Sequence, residues 1–346
     1  MKKLRIAQIG IGHDHAGEVF HSLLRQPEQF EVLGYCTGDG EEERIAEMSR
    51  RYPGFTKVPR LSLDELLALP GLDAVTVETE DWNLTKYAYI AAERGLPIHM
   101  DKPGGLSQSE YEDMLRLVKK NGTAFQTGYM YRYNPAYLAL SERIARGELG
   151  EIYSVETHMD CEQPASKRAW LGHFKGGMMY FLGCHLIDLI FRIQGVPEEI
   201  RAFNSSTGFD GVNTEDVGFA VLRYKNGVSF AKTSSTEPGG FMRRQLVVCG
   251  SRETVELRPI ERYVDLAAGQ MVTDVRSYPV NVGWHKESLV TTTKPFDRYD
   301  AMMAGFASLV RGERENPYTL EYEARLHRVL LAACGESIDY KGEIKL

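Results

Sequence analysis

The stretch that most constrains this chain is its first apolar run, Leu4 to Ile9, which ends directly on Gly10-Ile11-Gly12 and then enters a helical pattern up to about residue 25. A short apolar run bounded by glycine reads as a strand, and a strand that turns at once into a helix opens a βαβ unit. The glycines are needed for steric reasons. Gly10 permits the tight turn, and Gly12 lets the backbone approach a ligand with no Cβ in the way. The helix start behind them offers N–H groups and the positive end of the helix dipole to an anion such as a pyrophosphate. The turn predicts a dinucleotide cradle made by Gly10, Ile11, Gly12 and His13.

The same rhythm continues to about residue 125. Strands are expected at 30–36, 73–77 and 97–100, with helices at 41–51, from Ser62 onward, at 83–94 and at 107–120. Ser62 and Glu65 have capping-box spacing, and Gly95 and Gly122 stand where helices stop. Alternating strands and helices imply a parallel sheet covered on both faces. After residue 125 a helix at 135–146 leads into strands at 217–224, 228–233, 245–248 and 253–257 with no helices between them, and helices near 299–311 and 320–337 close the chain. The expected fold is α/β: a Rossmann doubly wound parallel sheet over 1–125, then an α+β domain with a largely antiparallel open sheet over 126–346.

A length of 346 residues suits two domains. The formal charge of −7 argues against a nucleic-acid partner, which requires clustered Lys and Arg. No apolar run reaches the roughly 18 residues of a membrane span, and the first residues do not read as a signal peptide. Five scattered cysteines, with no Cys-x-x-Cys pair, read as reduced thiols. A cytoplasmic protein is expected.

Three further places carry candidate chemistry. At the end of the second strand, where an acid would hold the adenosine ribose, the chain has Thr37 and then Asp39. The acidic run Glu41-Glu42-Glu43 opposes a ribose 2′-phosphate, so NAD is favoured over NADP. Asp101-Lys102-Pro103 follows the 97–100 strand, and a lysine at the C-terminal end of a parallel strand faces the ligand crevice. His13-x-His15 offers two nitrogens, but a metal needs three or four converging ligands and the sequence shows no further cluster in this domain, so no metal is expected. In the second domain His185, Asp188 and Arg192 fall at i, i+3 and i+7 on one helix stripe. A carboxylate beside a histidine can fix its tautomer for proton transfer.

The combination resembles the Gfo/Idh/MocA family, named for glucose-fructose oxidoreductase, inositol dehydrogenase and a rhizopine-catabolism protein. Asp101-Lys102-Pro103 stands where the family has Glu-Lys-Pro, after a helix ending Ala91-Ala92-Glu93-Arg94-Gly95. Tyr131-Arg132-Tyr133-Asn134-Pro135, the turn Gly147 to Ile152, Gly176-Gly177 and His185-Leu186-Ile187-Asp188 are similar to later family motifs. The resemblance implies a nicotinamide-dependent oxidoreductase acting on a sugar, polyol or related small molecule, assembled as a homodimer or homotetramer through the open sheet. It implies that Lys102 contacts substrate and nicotinamide, that His185 is the general acid or base, and that Thr79 and Asp101 lie at the cofactor. Asp188 is the candidate acid beside His185. Two positions depart from the pattern: Phe181 replaces an acid four residues before His185, and Thr79-Glu80-Asp81 replaces Thr-Pro-Asn. They leave open two alternatives to a dehydrogenase, an enzyme using bound NAD transiently in elimination or glycoside cleavage, and a non-catalytic dinucleotide-binding protein.

Overall fold

The computed structural model describes residues 2–280 and 289–346. The chain forms two compact units, and the first contains the residues through Met130. Its elements are β1 (Leu4–Ile9), α1 (Ala16–Arg25), β2 (Phe30–Cys36), α2 (Ile45–Arg51), α3 (Leu63–Leu67), β3 (Ala74–Val77), α4 (Leu84–Glu93), β4 (Ile98–Met100), α5 (Gln108–Asn121) and β5 (Phe125–Thr127). The five strands pair in parallel in the order β2-β1-β3-β4-β5. Ile6, Ala7, Ile9, Val75, Val77, Ile98 and Met100 are wholly buried, as a sheet covered on both faces requires. Strand order reverses between β1 and β3, so the glycine turn after β1 and Thr79 after β3 stand at the switch point where ligands of such sheets bind. The Ser62–Glu65 capping box forms with both of its bonds, and Gly122 ends α5 in the left-handed conformation. The charged helix expected at 41–51 is α-helical only from Ile45, because Glu42–Arg44 make a tighter 3₁₀ turn.

The second unit comprises Tyr131–Arg298 and Arg328–Gly342. Asn134 caps α6 (Pro135–Ala145) through the N–H groups of Ala136 and Tyr137, with Pro135 at the first helical position. There follow β6 (Ile152–Asp160), α7 (Ala165–Trp170), α8 (Met178–Phe181), α9 (Gly183–Gln194), β7 (Glu199–Ala202), β8 (Val217–Tyr224), β9 (Gly227–Ser234), β10 (Gln245–Gly250), β11 (Glu253–Leu257), β12 (Arg262–Asp265), β13 (Gln270–Val272), β14 (Asp274–Pro279), β15 (Val290–Thr292) and β16 (Phe296–Asp297). The larger sheet runs β15-β14-β11-β10-β6-β9-β8-β7, and β12, β13 and β16 form a smaller one. Only the β6–β9 pairing is parallel among the described strands of the larger sheet, which is therefore mixed but mostly antiparallel. Helix α9 packs on β6 and β9, with Leu186, Ile187, Leu189 and Ile190 wholly buried.

The chain then returns to the first unit with α10 (Asp300–Val310) and the start of α11 (Leu320–Ala333). The expected division at residue 125 is thus too simple, since residues 299–327 and 343–346 belong with the parallel sheet. Met302, Met303 and Phe306 on α10 are buried, and Leu320, Ala324, Ile344 and Leu346 join the core of the first unit. Polar bonds fix the return: the Gln126 amide donates to the Met302 carbonyl at 3.1 Å and the Asn316 amide to the Phe125 carbonyl at 2.8 Å. Among the described residues no helix is long and apolar enough to cross a membrane, and none of the cysteines is in a disulfide.

Candidate functional site

The turn after β1 is built for a close approach. Gly10 has φ of +91°, and a Cβ there would lie 2.4 Å from the Thr79 side chain. A Cβ on Gly12 would lie 2.3 Å from Glu41 Oε1 and 2.5 Å from the Glu80 nitrogen. The backbone N–H groups of this turn already hold an anion, the carboxylate of Glu41. It accepts from Ile11 N and Gly38 N at 2.7 Å each and from Glu80 N at 3.0 Å, and it is wholly buried. Burial pushes its carboxyl up against the pull of those amides. Arg44 spans the same turn, donating to the Gly12 carbonyl and to Glu80. Those amides are taken by Glu41, so what the turn offers a dinucleotide is close backbone approach at Gly10 and Gly12 beside the start of α1, a cradle that a Cβ would fill, and the residues fit one.

The other expected ribose contacts lie outside this nest. Thr37 donates to Glu42 at 3.2 Å, while the exposed Asp39 pairs with Lys86 and accepts from the Tyr87 hydroxyl at 2.9 Å. The carboxylate that reaches the turn is Glu41, which the sequence shows only as one acid of the run opposing a 2′-phosphate.

Next to the turn, the loop after β4 is buried. Asp101 is fully covered and Lys102 is 1% exposed. Asp101 accepts from its neighbour's backbone, Lys102 N, at 2.6 Å, and His13 Nε2 lies 3.1 Å from the Lys102 carbonyl. Both bonds hold the backbone of Lys102. Asp101 also faces His13 Nδ1 and His15 Nδ1 at 3.1 Å each, and Asp81 lies 3.7 Å from His13 Nε2. Burial opposes charge at His13, but Asp101 and Asp81 outweigh it and raise the ring to about 9. Burial, reinforced by His13 and Lys102, pushes His15 down to about 4 despite Asp101. Burial would raise Asp101 too, yet the two histidines hold it well below the usual carboxylate range. Its neighbour Glu78 moves the opposite way, pushed far up by burial and by the charge of Asp101. Strands β1, β3 and β4 lie side by side and bring Asp101 to the His13-x-His15 pair, a juxtaposition that sequence spacing does not show.

In the second unit, His185 and Asp188 are each 1% exposed, so that part of the helix stripe is buried, while Arg192 at its end is exposed. The Asp188 carboxylate is held by Arg132, with Nε at 3.0 Å from both oxygens and Nη2 at 2.7 Å from Oδ1. Asp188 therefore serves a guanidinium that sequence reasoning did not assign. The ring of His185 meets Tyr131 edge-on at 5.1 Å, and the Tyr131 hydroxyl donates to Glu261, which also binds Arg244 and Arg298. Burial would raise Glu261, but the two arginines hold it low. Phe181 ends α8 and His185 lies in α9, with Leu182 breaking the helix between them, so the four-residue spacing is not one helical turn. Phe181 packs edge-on against Trp170 at 5.2 Å, with the Lys167 ammonium 4.6 Å from its ring. A hollow of about 810 Å³ between α4 and α5, lined by Trp82, Lys86 and Arg116, contains none of these residues.

Comparison with known proteins adds identity to this geometry. Residues 4–129 match the oxidoreductase family with an NAD-binding Rossmann fold, and residues 137–256 match the Gfo/Idh/MocA C-terminal domain. The chain is 23% identical over 227 residues to scyllo-inositol 2-dehydrogenase (NADP⁺) IolW of Bacillus subtilis, covering 64% of this chain and 61% of that protein. It is 33% identical over 156 residues to scyllo-inositol 2-dehydrogenase (NAD⁺) of the same organism, covering 44% and 43%. Matches to the first curated relatives span from 49% to 61% of their own length. The fold is similar to that of an aldose-aldose oxidoreductase from Caulobacter crescentus in complex with glycerol, with a TM-score of 0.76, 19% identity and 96% of each chain covered. The two halves of the chain match the two domains of one family in sequence order, and the chain belongs to the Gfo/Idh/MocA oxidoreductases.

Proposed function

We propose that this chain is an NAD(P)-dependent dehydrogenase or reductase of a sugar, a polyol or a related small molecule. The observation that carries the reading is the glycine turn at the switch point of the parallel sheet, which sits in the same unit as the buried Asp101-Lys102 loop. A nicotinamide dinucleotide supplies hydride transfer to or from the substrate carbon. Gly10 and Gly12, beside the start of α1, are its proposed pyrophosphate-side contacts, with Thr79 and Asp101 further along the sheet edge. Lys102 is proposed to donate to the reacting oxygen and stabilise developing alkoxide charge. Its backbone is clamped on one side by Asp101 and on the other by His13, which is the preorganisation such a role needs. His185 is proposed as the proton acceptor, with Tyr131 fixing one edge of its ring. The Arg132–Asp188 pair acts as a buried structural charge pair next to it in sequence, in place of the earlier role of Asp188 as the partner acid. Glu41 favours NAD over NADP, because a ribose 2′-phosphate would bring like charge to a buried carboxylate. A homodimer or homotetramer through the larger sheet is proposed from the row of rings that crosses it, Phe203, Phe219, Phe230 and His158.

The test is Lys102→Ala assayed with a panel of inositols, aldoses and their oxidised forms. NADH affinity stays within a few fold while turnover falls by roughly 100-fold or more. Turnover near that of the wild type would remove Lys102 from the chemistry. Absence of net nicotinamide oxidation or reduction across the panel by the wild-type protein would overturn the dehydrogenase reading itself.

A further inference from the structure

We propose that Glu261 is a positioning residue for His185 and acts through the ring of Tyr131. The carboxylate holds the phenol, and the phenol holds the imidazole in the orientation that proton transfer needs. The inference rests on His185 as the proton acceptor and extends that reading to a residue far along the chain, between β11 and β12. A histidine base is usually oriented by a carboxylate on its second nitrogen. Here the acid three residues on, Asp188, is bound to Arg132, whose Nε lies 3.0 Å from both of its oxygens. Against the His185 ring lies Tyr131 instead, edge-on, with centroids 5.1 Å apart and planes at 87°.

An edge-to-face pair has a preferred geometry, but it passes on an orientation only if one ring is itself fixed. Tyr131 is fixed at its far end. Its hydroxyl donates to Glu261 Oε1 at 2.5 Å and accepts from Arg244 Nη1 at 3.2 Å, so it acts as donor and acceptor at once. Glu261 in turn is clamped by two guanidiniums. Arg244 Nη1 donates to Oε1 at 2.8 Å, Arg298 Nε donates to Oε2 at 2.9 Å, and Arg298 Nη2 lies 2.7 Å from Oε1. Tyr131, Glu261 and His185 are all buried, and charge-assisted bonds in such a place are strong. The parts come from separate segments: Tyr131 from the 3₁₀ turn at 130–133, Arg244 and Glu261 from the residues just before β10 and β12, and Arg298 from just after β16. Burial, reinforced by Glu261, pushes the Tyr131 phenol well up. The phenol therefore keeps its proton, and what reaches His185 is orientation.

The probe is the imidazole NMR spectrum of full-length, histidine-labelled protein without substrate, with the His185 signals identified by their loss in His185→Asn. In the wild type the ring current of Tyr131 displaces these signals. Tyr131→Phe keeps the aromatic ring and the Glu261 ion pairs but removes the hydroxyl, and Glu261→Ala removes its acceptor. Each is expected to bring the His185 ring-proton shifts towards those of a free histidine. Glu261→Gln still offers the phenol an oxygen and is expected to keep the wild-type shifts. With a substrate from the panel, Tyr131→Phe is expected to lower kcat by roughly 10-fold while KM stays within about twofold, and Glu261→Gln to lie nearer the wild type. A carboxylate that only knits the fold would change stability and leave the His185 signals in place, so wild-type shifts in Tyr131→Phe overturn the proposal. Should Glu261→Ala misfold, Tyr131→Phe decides, because it leaves Glu261 paired with both arginines. Shifts that move while kcat stays at the wild-type level overturn His185 as the proton acceptor instead, so the two failures are distinguishable.

Discussion

Glu41 shows how a single side chain can carry more of a site than its sequence context announces. In the run Glu41-Glu42-Glu43-Arg44 it is one acid among several, and a charged run reads as a solvated surface. The fold turns this one carboxylate inward onto three amides, two of them from segments far away in sequence. No periodicity marks such a residue, because it lies ahead of a 3₁₀ turn and not on a regular face. Gly10 and Gly12, by contrast, were legible, since only residues without a Cβ fit spaces of 2.3 to 2.4 Å. Glu41→Gln keeps the side-chain length and removes the charge. It is expected to improve NADPH affinity relative to NADH by about 10-fold, or ~1.4 kcal/mol at one lost charge repulsion. Parallel fluorescence titrations with the two cofactors measure this. A ratio unchanged from the wild type would mean that Glu41 does not read the ribose.

Among the elements, most helices and most parallel strands could be read from apolar rhythm and caps, and the short α7 and α8 and the central strand of the second sheet could not. Strand β6 carries Tyr153, Ser154, Glu156, Thr157 and His158 among its apolar residues, so it lacks the continuous run of a buried strand. Its position between β10 and β9 becomes visible only when their partners are in place. The same limit applies to α9. Its apolar residues predicted burial, but the role of Asp188 depended on Arg132, whose guanidinium arrives from 56 residues upstream. Both side chains are at most 2% exposed, so removing one charge strands the other in a poorly solvated place. Asp188→Asn is therefore expected to destabilise the second unit by about 3–5 kcal/mol, seen in chemical denaturation, before any effect on turnover is interpreted. The paired change Arg132→Met with Asp188→Leu should recover much of that loss. Equal stability of Asp188→Asn and wild type would show the pair to be dispensable to the fold.

At the scale of the whole molecule, the larger sheet carries a row of rings on one face. Across it run Phe203, Phe219, Phe230 and His158, with successive ring centroids 6.3, 5.7 and 6.0 Å apart. Phe203 is 57% exposed and Val228 48%, an apolar row that water covers poorly and a second copy would cover well. Phe203→Asp combined with Phe219→Asp is expected to shift the assembly towards monomer in sedimentation velocity, with circular dichroism unchanged. An unchanged sedimentation coefficient in an oligomeric wild type would place the interface elsewhere.

The return of residues 299–327 to the first unit has a consequence for how the protein is made. A ribosome adding about 5–20 residues per second needs roughly 10–40 s to go from the end of β5 to the far end of that segment. During this interval the parallel sheet is outside the tunnel but unfinished. The Gln126 amide and the Phe125 carbonyl wait for Met302 and Asn316, and the surface destined for α10 stays wet. The nascent chain thus cannot lock its first-made half until its last-made residues appear, and a transcript cut short before that segment yields a sheet left open on that side.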